Sequence, residues 1–298
     1  MYKEFYGFTE IPFGLTPNPK YIYKTDSYLE VTANLRYCID QYKGLVVVTG
    51  EVGTGKTTTL RSMMQHLGHE ILTVYMVNPF LNVPEFYELL IQGLRLGLAP
   101  TASKTQVLNT LAGFLAHRHS RGLRTVLIAD EAHGLSPVLL EEIRLLANLE
   151  TNTEKLLQII LCGQPELRET LNQPNLRQLK QRVSLRSTIK PLTPVEVIKY
   201  IRLRLKVAGA KRMDIFNAEA LDLISAVSLG IPRVVNNVCD NALLVGYADG
   251  MKTITRAIIE EVIDTLDLTT NETTTTDPME LSSWPSARRL AVAEGSHS

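Results

Sequence analysis

The stretch GLVVVTGEVGTGKTTTL, residues 44–60, joins an apolar run to a glycine-rich turn and then to a helix-forming segment. Gly50, Gly55, Lys56 and Thr57 meet the spacing G-x-x-x-x-G-K-[ST], and the motif stands where its mechanism needs it, after a strand and before a helix. Glycines let the backbone curl round a phosphate without a side-chain clash, its N–H groups point inward, and the start of the helix adds a dipole favourable to an anion. Gly50, Glu51, Val52, Gly53, Thr54, Gly55, Lys56, Thr57 and Thr58 therefore read as a phosphate loop, with ATP as the expected ligand. Lys56 is expected to reach the β- and γ-phosphates. Thr57 offers a hydroxyl to Mg2+, a hard ion that takes few protein oxygens and keeps several waters.

From residue 28 to about 189, short apolar strand candidates alternate with helical patterns: GLVVVTG, ILTVYMV, RTVLIAD, LLQIILCG and RVSLRSTI. That alternation predicts an α/β fold, a parallel sheet with helices on both faces, over a nucleotide-binding core of residues 28–191. Beyond it, LTPVEVIKYIRLRLKVAG, residues 192–209, puts Thr193, Pro194 and Glu196 at the N-cap, N1 and N3 positions of a helix. Two more helical patterns cover about 218–228 and 232–248. In a last one, TRAIIEEVIDTL, Ile258, Ile259, Val262, Ile263 and Leu266 share a face. Residues 192–267 are thus expected to form an all-helical lid. Residues 268–298 are Thr- and Ser-rich, which predicts a disordered polar tail with Trp284 alone in it. At the other end FYGFTEIPFGLTPNPKYIY, residues 5–23, is rich in Pro, Gly and aromatics. Residues 1–27 read as an extended segment that packs across the core and lines a base pocket.

A chain of 298 residues exceeds one typical domain. Lys plus Arg equals Asp plus Glu at 31 each, so any basic patch must be local. Cys38, Cys162 and Cys239 lie far apart in apolar sequence, which suits reduced core thiols and a cytoplasmic setting better than disulfides or metal ligands. No apolar run approaches the ~18 residues of a membrane helix, so no intrinsic membrane span is expected.

The segment TVLIADEAH ends an apolar strand in Asp130 and Glu131, the acidic pair a phosphate-loop nucleotidase needs at the edge of a neighbouring strand. Asp130 is expected to hold Mg2+, usually through water, and Glu131 to orient and polarise the attacking water. The letters D-E-A-H also label a helicase class, but such helicases need a second nucleotide-fold domain; His133 reads as a local structural residue. Gln164 ends the strand in LLQIILCGQPEL, where a polar side chain can sit between the acidic pair and the γ-phosphate. Arg182 precedes the last strand and Arg233 opens a lid helix; phosphoryl transfer builds negative charge that arginine stabilises bidentately. Arg177 and Arg186 read as surface arginines.

These residues carry a resemblance. The chain resembles the ExeA/GspA-type ATPases of the AAA+ class, associated with type II secretion and pilus-type systems. The resemblance runs in order through YGFTEIPFGLTPNPKYIY, GLVVVTGEVGTGKTT, LIADEAHGLSP, LCGQPELRETL, LKQRV, YIRLRLKVAG and GIPRVVNNVCDNALL, roughly residues 1–266. It implies that Lys56 and Thr57 belong to Walker A, Asp130 and Glu131 to Walker B, Gln164 to sensor 1 and Arg233 to sensor 2. It further implies that Arg182 is an arginine finger acting on a neighbouring subunit, hence a homo-oligomer. Longer family members continue into a membrane helix and a peptidoglycan-binding domain, where this chain has a polar tail. The expected partner is a secretion or pilus complex, reached peripherally at the inner membrane.

Related short ATPases serve as transposition helpers, in which an ATP-bound oligomer on DNA recruits a transposase. A local charge count keeps DNA as an alternative partner: residues 168–212 hold twelve Lys or Arg against Glu169 and Glu196. A third reading is a nucleotide-gated scaffold, because slow intrinsic hydrolysis is normal where a finger must arrive in trans.

Overall fold

The computed structural model describes residues 2–99 and 101–268. Trp284 and the polar tail from residue 269 onward lie outside the described residues.

Five parallel strands form one sheet in the order β2-β3-β4-β1-β5: β1 Leu45–Gly50, β2 Ile71–Met76, β3 Arg124–Ala129, β4 Gln158–Gly163 and β5 Val183–Ile189. They are the five strand candidates read from the sequence. Every residue of β1 and β4 is buried, as continuous apolar runs covered on both faces require. The edge strand β5 alternates instead, and places exposed Arg186 on the border where an unpaired edge would otherwise invite another strand.

The helices are α1 Tyr2–Tyr6, α2 Asp26–Asp40, α3 Lys56–Gln65, α4 Val83–Leu94, α5 Lys104–Ser120, α6 Pro137–Leu146, α7 Glu166–Leu171, α8 Arg177–Arg182, α9 Pro194–Val207, α10 Ala218–Ser228, α11 Pro232–Ala248 and α12 Arg256–Thr265. Successive strand side chains point to opposite faces. Leu45, Val47, Leu127 and Leu161 pack with α4, α5 and α6, whereas Val46, Val48, Ile128 and Cys162 pack with α2 and α3. All three cysteines are free and buried, as expected.

A separate apolar cluster joins α9 to α12, with Val197, Ile201, Ile224, Val238 and Ile259 at its centre. The helix α9 starts with a full capping box between Thr193 and Glu196.

The N-terminal segment departs from the extended reading. Tyr2–Tyr6 is a helical turn and Pro19–Tyr21 a 3-10 turn, and Tyr6, Phe8 and Phe13 pack into the α9–α12 cluster rather than across the sheet. Tertiary contacts override local preference here: the Tyr6 hydroxyl donates to Met251 O at 2.9 Å, the Tyr2 hydroxyl to Asp240, and the Phe5 ring meets Tyr247 edge-on at 5.3 Å. Arg204 of α9 fastens the rest of the segment. It is 6% exposed, and its guanidinium donates to Pro12 O (2.6 Å), Gly14 O (3.2 Å), the Tyr200 hydroxyl (2.6 Å) and Asn236 Oδ1 (3.0 Å). The Tyr21 ring lies 4.6 Å from it.

Candidate functional site

Strand β1 ends in the phosphate loop, and α3 begins at Lys56 with Gly55 as its N-cap in the left-handed region (φ 96°), offering no side-chain cap. The first-turn N–H groups of α3 are thus left for an anion. Lys56 is buried and its Nζ donates to Gly50 O (2.9 Å) and Glu51 O (3.1 Å), folding the amine back over the loop. The Thr54 hydroxyl donates to Glu51 O at 2.8 Å and closes the turn. At Gly53 (φ 80°) an added Cβ would fall 2.7 Å from Arg233 Cβ, so the loop and α11 approach as closely as glycine allows. The Arg233 N–H donates to Gly53 O at 3.2 Å.

Asp130 sits just beyond β3, 3% exposed. Its Oδ2 accepts from the Thr57 hydroxyl at 2.7 Å and from the Tyr75 hydroxyl at 2.6 Å. Burial, then the bond to this carboxylate, holds the Tyr75 hydroxyl well above the usual phenol range. Burial and the nearby Asp130 likewise push the Cys162 thiol up. Glu131 follows in the left-handed region (φ 51°), its N–H donating to Asp130 Oδ1 at 3.0 Å. His133 stands between Glu131 Oε2, 3.4 Å from its Nδ1, and the Gln164 amide nitrogen, 3.0 Å from its Nε2.

These groups meet at a cavity of about 430 Å³. Its walls come from the loop (Val52 to Thr58), from Glu131 and Gln164, from Arg233, and from the N-terminal segment with Tyr21, Ile22 and Tyr23. The segment lines the cavity as the sequence suggested. Gly50 and Glu51 turn carbonyls to Lys56 instead of lining it, and Asp130 lies behind Thr57. Arg182 is not brought to this cavity; it ends α8 and is exposed. The sequence reading missed Tyr75, the linking place of His133, and Arg204 and Asn236 in the cavity wall. For Tyr75 a signal existed, since it is a hydroxyl-bearing residue near the end of the strand beside β3, paired with Ile128.

A family model described as AAA domain matches residues 39–171. General secretion pathway protein A of Aeromonas hydrophila is 41% identical over 250 residues, which are 84% of this chain and 46% of that protein. The chain belongs to the ExeA/GspA-type AAA family. It spans about half the length of the curated family member it matches. Among solved structures, Cdc6p from Pyrobaculum aerophilum aligns with a TM-score of 0.65 at 15% identity, over 85% of this chain and 70% of that one. Drosophila ORC bound to DNA aligns at 0.61 and 20% identity, over 86% and 66%. At such identity these likenesses show the fold alone, the parallel five-stranded sheet with flanking helices of the P-loop NTPase type, which this ExeA/GspA-type chain shares. Among its described residues no helix is long and apolar enough to cross a membrane.

Proposed function

We propose that this chain is an ATP hydrolase that assembles as a homo-oligomer and uses ATP to drive assembly of a partner complex of a type II secretion or pilus-type envelope system. One observation carries the reading: Lys56, Thr57, Glu131, Gln164 and Arg233, scattered through the sequence, line one cavity of about 430 Å³, with Asp130 directly behind Thr57. In this reading the loop N–H groups and Lys56 bind phosphates, Gln164 and Arg233 face the γ-phosphate, and Glu131 orients the attacking water. Thr57 and Asp130 form an all-oxygen pair 2.7 Å apart, a donor set suited to a hard cation, and would hold Mg2+. The bound ion would neutralise phosphate charge.

Arg182, exposed and away from its own cavity, fits a finger that completes the site of the next subunit. The reading divides the chain into an N-terminal segment 1–27, a core 28–191 and a lid 192–267. A cavity shared by all three makes lid closure sensitive to the nucleotide, and that population shift is the work offered to a partner. The test is Glu131→Gln, which is expected to bind ATP normally and to lose turnover. Hydrolysis by this variant at the wild-type rate would remove Glu131 from its role.

A second reading, ATP-dependent assembly on DNA, is favoured by a separate observation. Of the twelve basic residues between 168 and 212, only Arg204 is buried, and only Arg212 is in an ion pair among the described residues. Such a surface suits phosphate backbones.

A further inference from the structure

We propose that His133 is a positioning residue that couples Gln164 to Glu131, so that engagement of the one by the γ-phosphate fixes the pose of the other. The inference rests on the ATPase reading above and names a part that the reading does not contain.

Four observations fix the ring where it stands. Glu131 is held at φ 51° and ψ 34°, in the left-handed region that a non-glycine residue adopts only where its surroundings impose it. A 3-10 turn, Ala132–Gly134, follows at once, with the Gly134 N–H donating to Glu131 O at 2.9 Å. The turn folds back onto the end of β4 so closely that a Cβ added to Gly163 would lie 3.0 Å from His133 N. Finally, His133 Nδ1 and Glu131 Oε2 are both buried, face each other at 3.4 Å, and have no hydrogen-bond partner among the described residues.

The chemistry gives the ring a direction. Gln164 meets His133 Nε2 with its amide nitrogen, which can only donate, so Nε2 accepts. The proton of the neutral ring is then on Nδ1, pointing at the Glu131 carboxylate. Of the two neutral tautomers, this one alone points an N–H at the carboxylate. Glu131 and Gln164 line the cavity whereas His133 does not, so the ring acts through them and touches no ligand. The Gln164 amide has a second N–H, free to meet a γ-phosphate oxygen; once it does, Gln164 is fixed, the ring is fixed through Nε2, and Nδ1–H keeps Glu131 in the pose that lines the cavity. Without the ring, that hold on Glu131 is lost.

The test compares His133→Ala, His133→Asn and His133→Gln with wild type in steady-state ATP hydrolysis and in binding of a fluorescent ADP. Asn keeps a polar atom near the Nδ1 position and Gln near the Nε2 position, so each retains one arm of the link. The coupling predicts that all three lose about tenfold or more in kcat with KM and ADP affinity within about twofold. It also predicts that His133→Ala with Gln164→Ala is no slower than the slower single variant. A kcat for His133→Ala within about twofold of wild type, full activity of either one-armed variant, or strictly additive losses would overturn it. If His133→Ala melts early, the Asn and Gln variants carry the same comparison. Absence of wild-type turnover at every concentration would instead remove the ATPase reading itself.

Discussion

The Thr57 hydroxyl donates to Asp130 Oδ2 at 2.7 Å across 73 positions of sequence. The sheet brings them together, because β1 and β3 both flank β4 and both end at the cavity. Thr57→Val keeps the shape of the side chain and removes this oxygen. ATP affinity with Mg2+ is expected to fall by about tenfold, ~1.4 kcal/mol, towards the affinity measured with EDTA. Titration of a fluorescent ATP analogue with and without Mg2+ reads both. An unchanged Mg2+ dependence would contradict the placement of the ion.

Arg182 makes a prediction about mixtures. Arg182→Ala is expected to bind nucleotide and lose assembly-dependent turnover, and Lys56→Ala to lose nucleotide binding by about a hundredfold or more. Mixed, each supplies what the other lacks at one kind of subunit boundary, so some activity should return. No recovery in mixtures shown to co-assemble would count against a shared site.

Arg204 is a buried cation with no carboxylate in ion-pair range among the described residues; carbonyls, a hydroxyl, an amide and three aromatic rings surround it. Arg204→Met keeps the apolar stem but orphans these acceptors and frees residues 1–27 from α9. Loss of about 2–3 kcal/mol is expected in urea unfolding, with faster protease cleavage in the N-terminal segment. A change below about 0.5 kcal/mol would show that the fastening contributes little.

Proton linkage predicts an alkaline limit. Burial, then the hydrogen-bonded carboxylates of Asp130 and Glu142, raise the Tyr75 and Tyr87 hydroxyls; burial raises Tyr6 and Tyr21 to about 12. Burial also raises Cys162 and Cys239 above the ordinary thiol value of 9.0. Each group keeps its proton in the folded chain at a pH where the unfolded chain releases it. Their contribution is therefore complete below about pH 9 and declines as pH climbs towards the folded values. Urea midpoints should be flat between about pH 7 and 8.5 and fall from about pH 9 upward. A midpoint constant to about pH 11 would refute the sign.

Local rules made much of this legible. The strands announced themselves as apolar runs, and the periodicity over 218–228 and 232–248 coincides with α10 and α11, because those helices bury one stripe each. Lys56 and Thr57 stood out because a phosphate-loop motif is confined to a few residues, and Asp130 and Glu131 because an acidic pair ends an apolar run; the fold brings the four together, and their roles are the ones proposed above. The helix Tyr2–Tyr6 was not, since Asp240, Tyr247 and Met251 stabilise it from far along the chain. His133 and Tyr75 escaped for the same reason: their partners belong to other strands. Arg204 looked like one more cation of a basic helix, and only the fold buries it.

The most direct test of the account is steady-state ATP hydrolysis over a range of protein concentrations, with and without duplex DNA at physiological salt, using Glu131→Gln as the blank. The account predicts specific activity that rises with protein concentration as subunits meet and that ignores DNA. Salt-sensitive stimulation by DNA would move the function to assembly on DNA, and turnover equal to the Glu131→Gln blank at every concentration would contradict the ATPase.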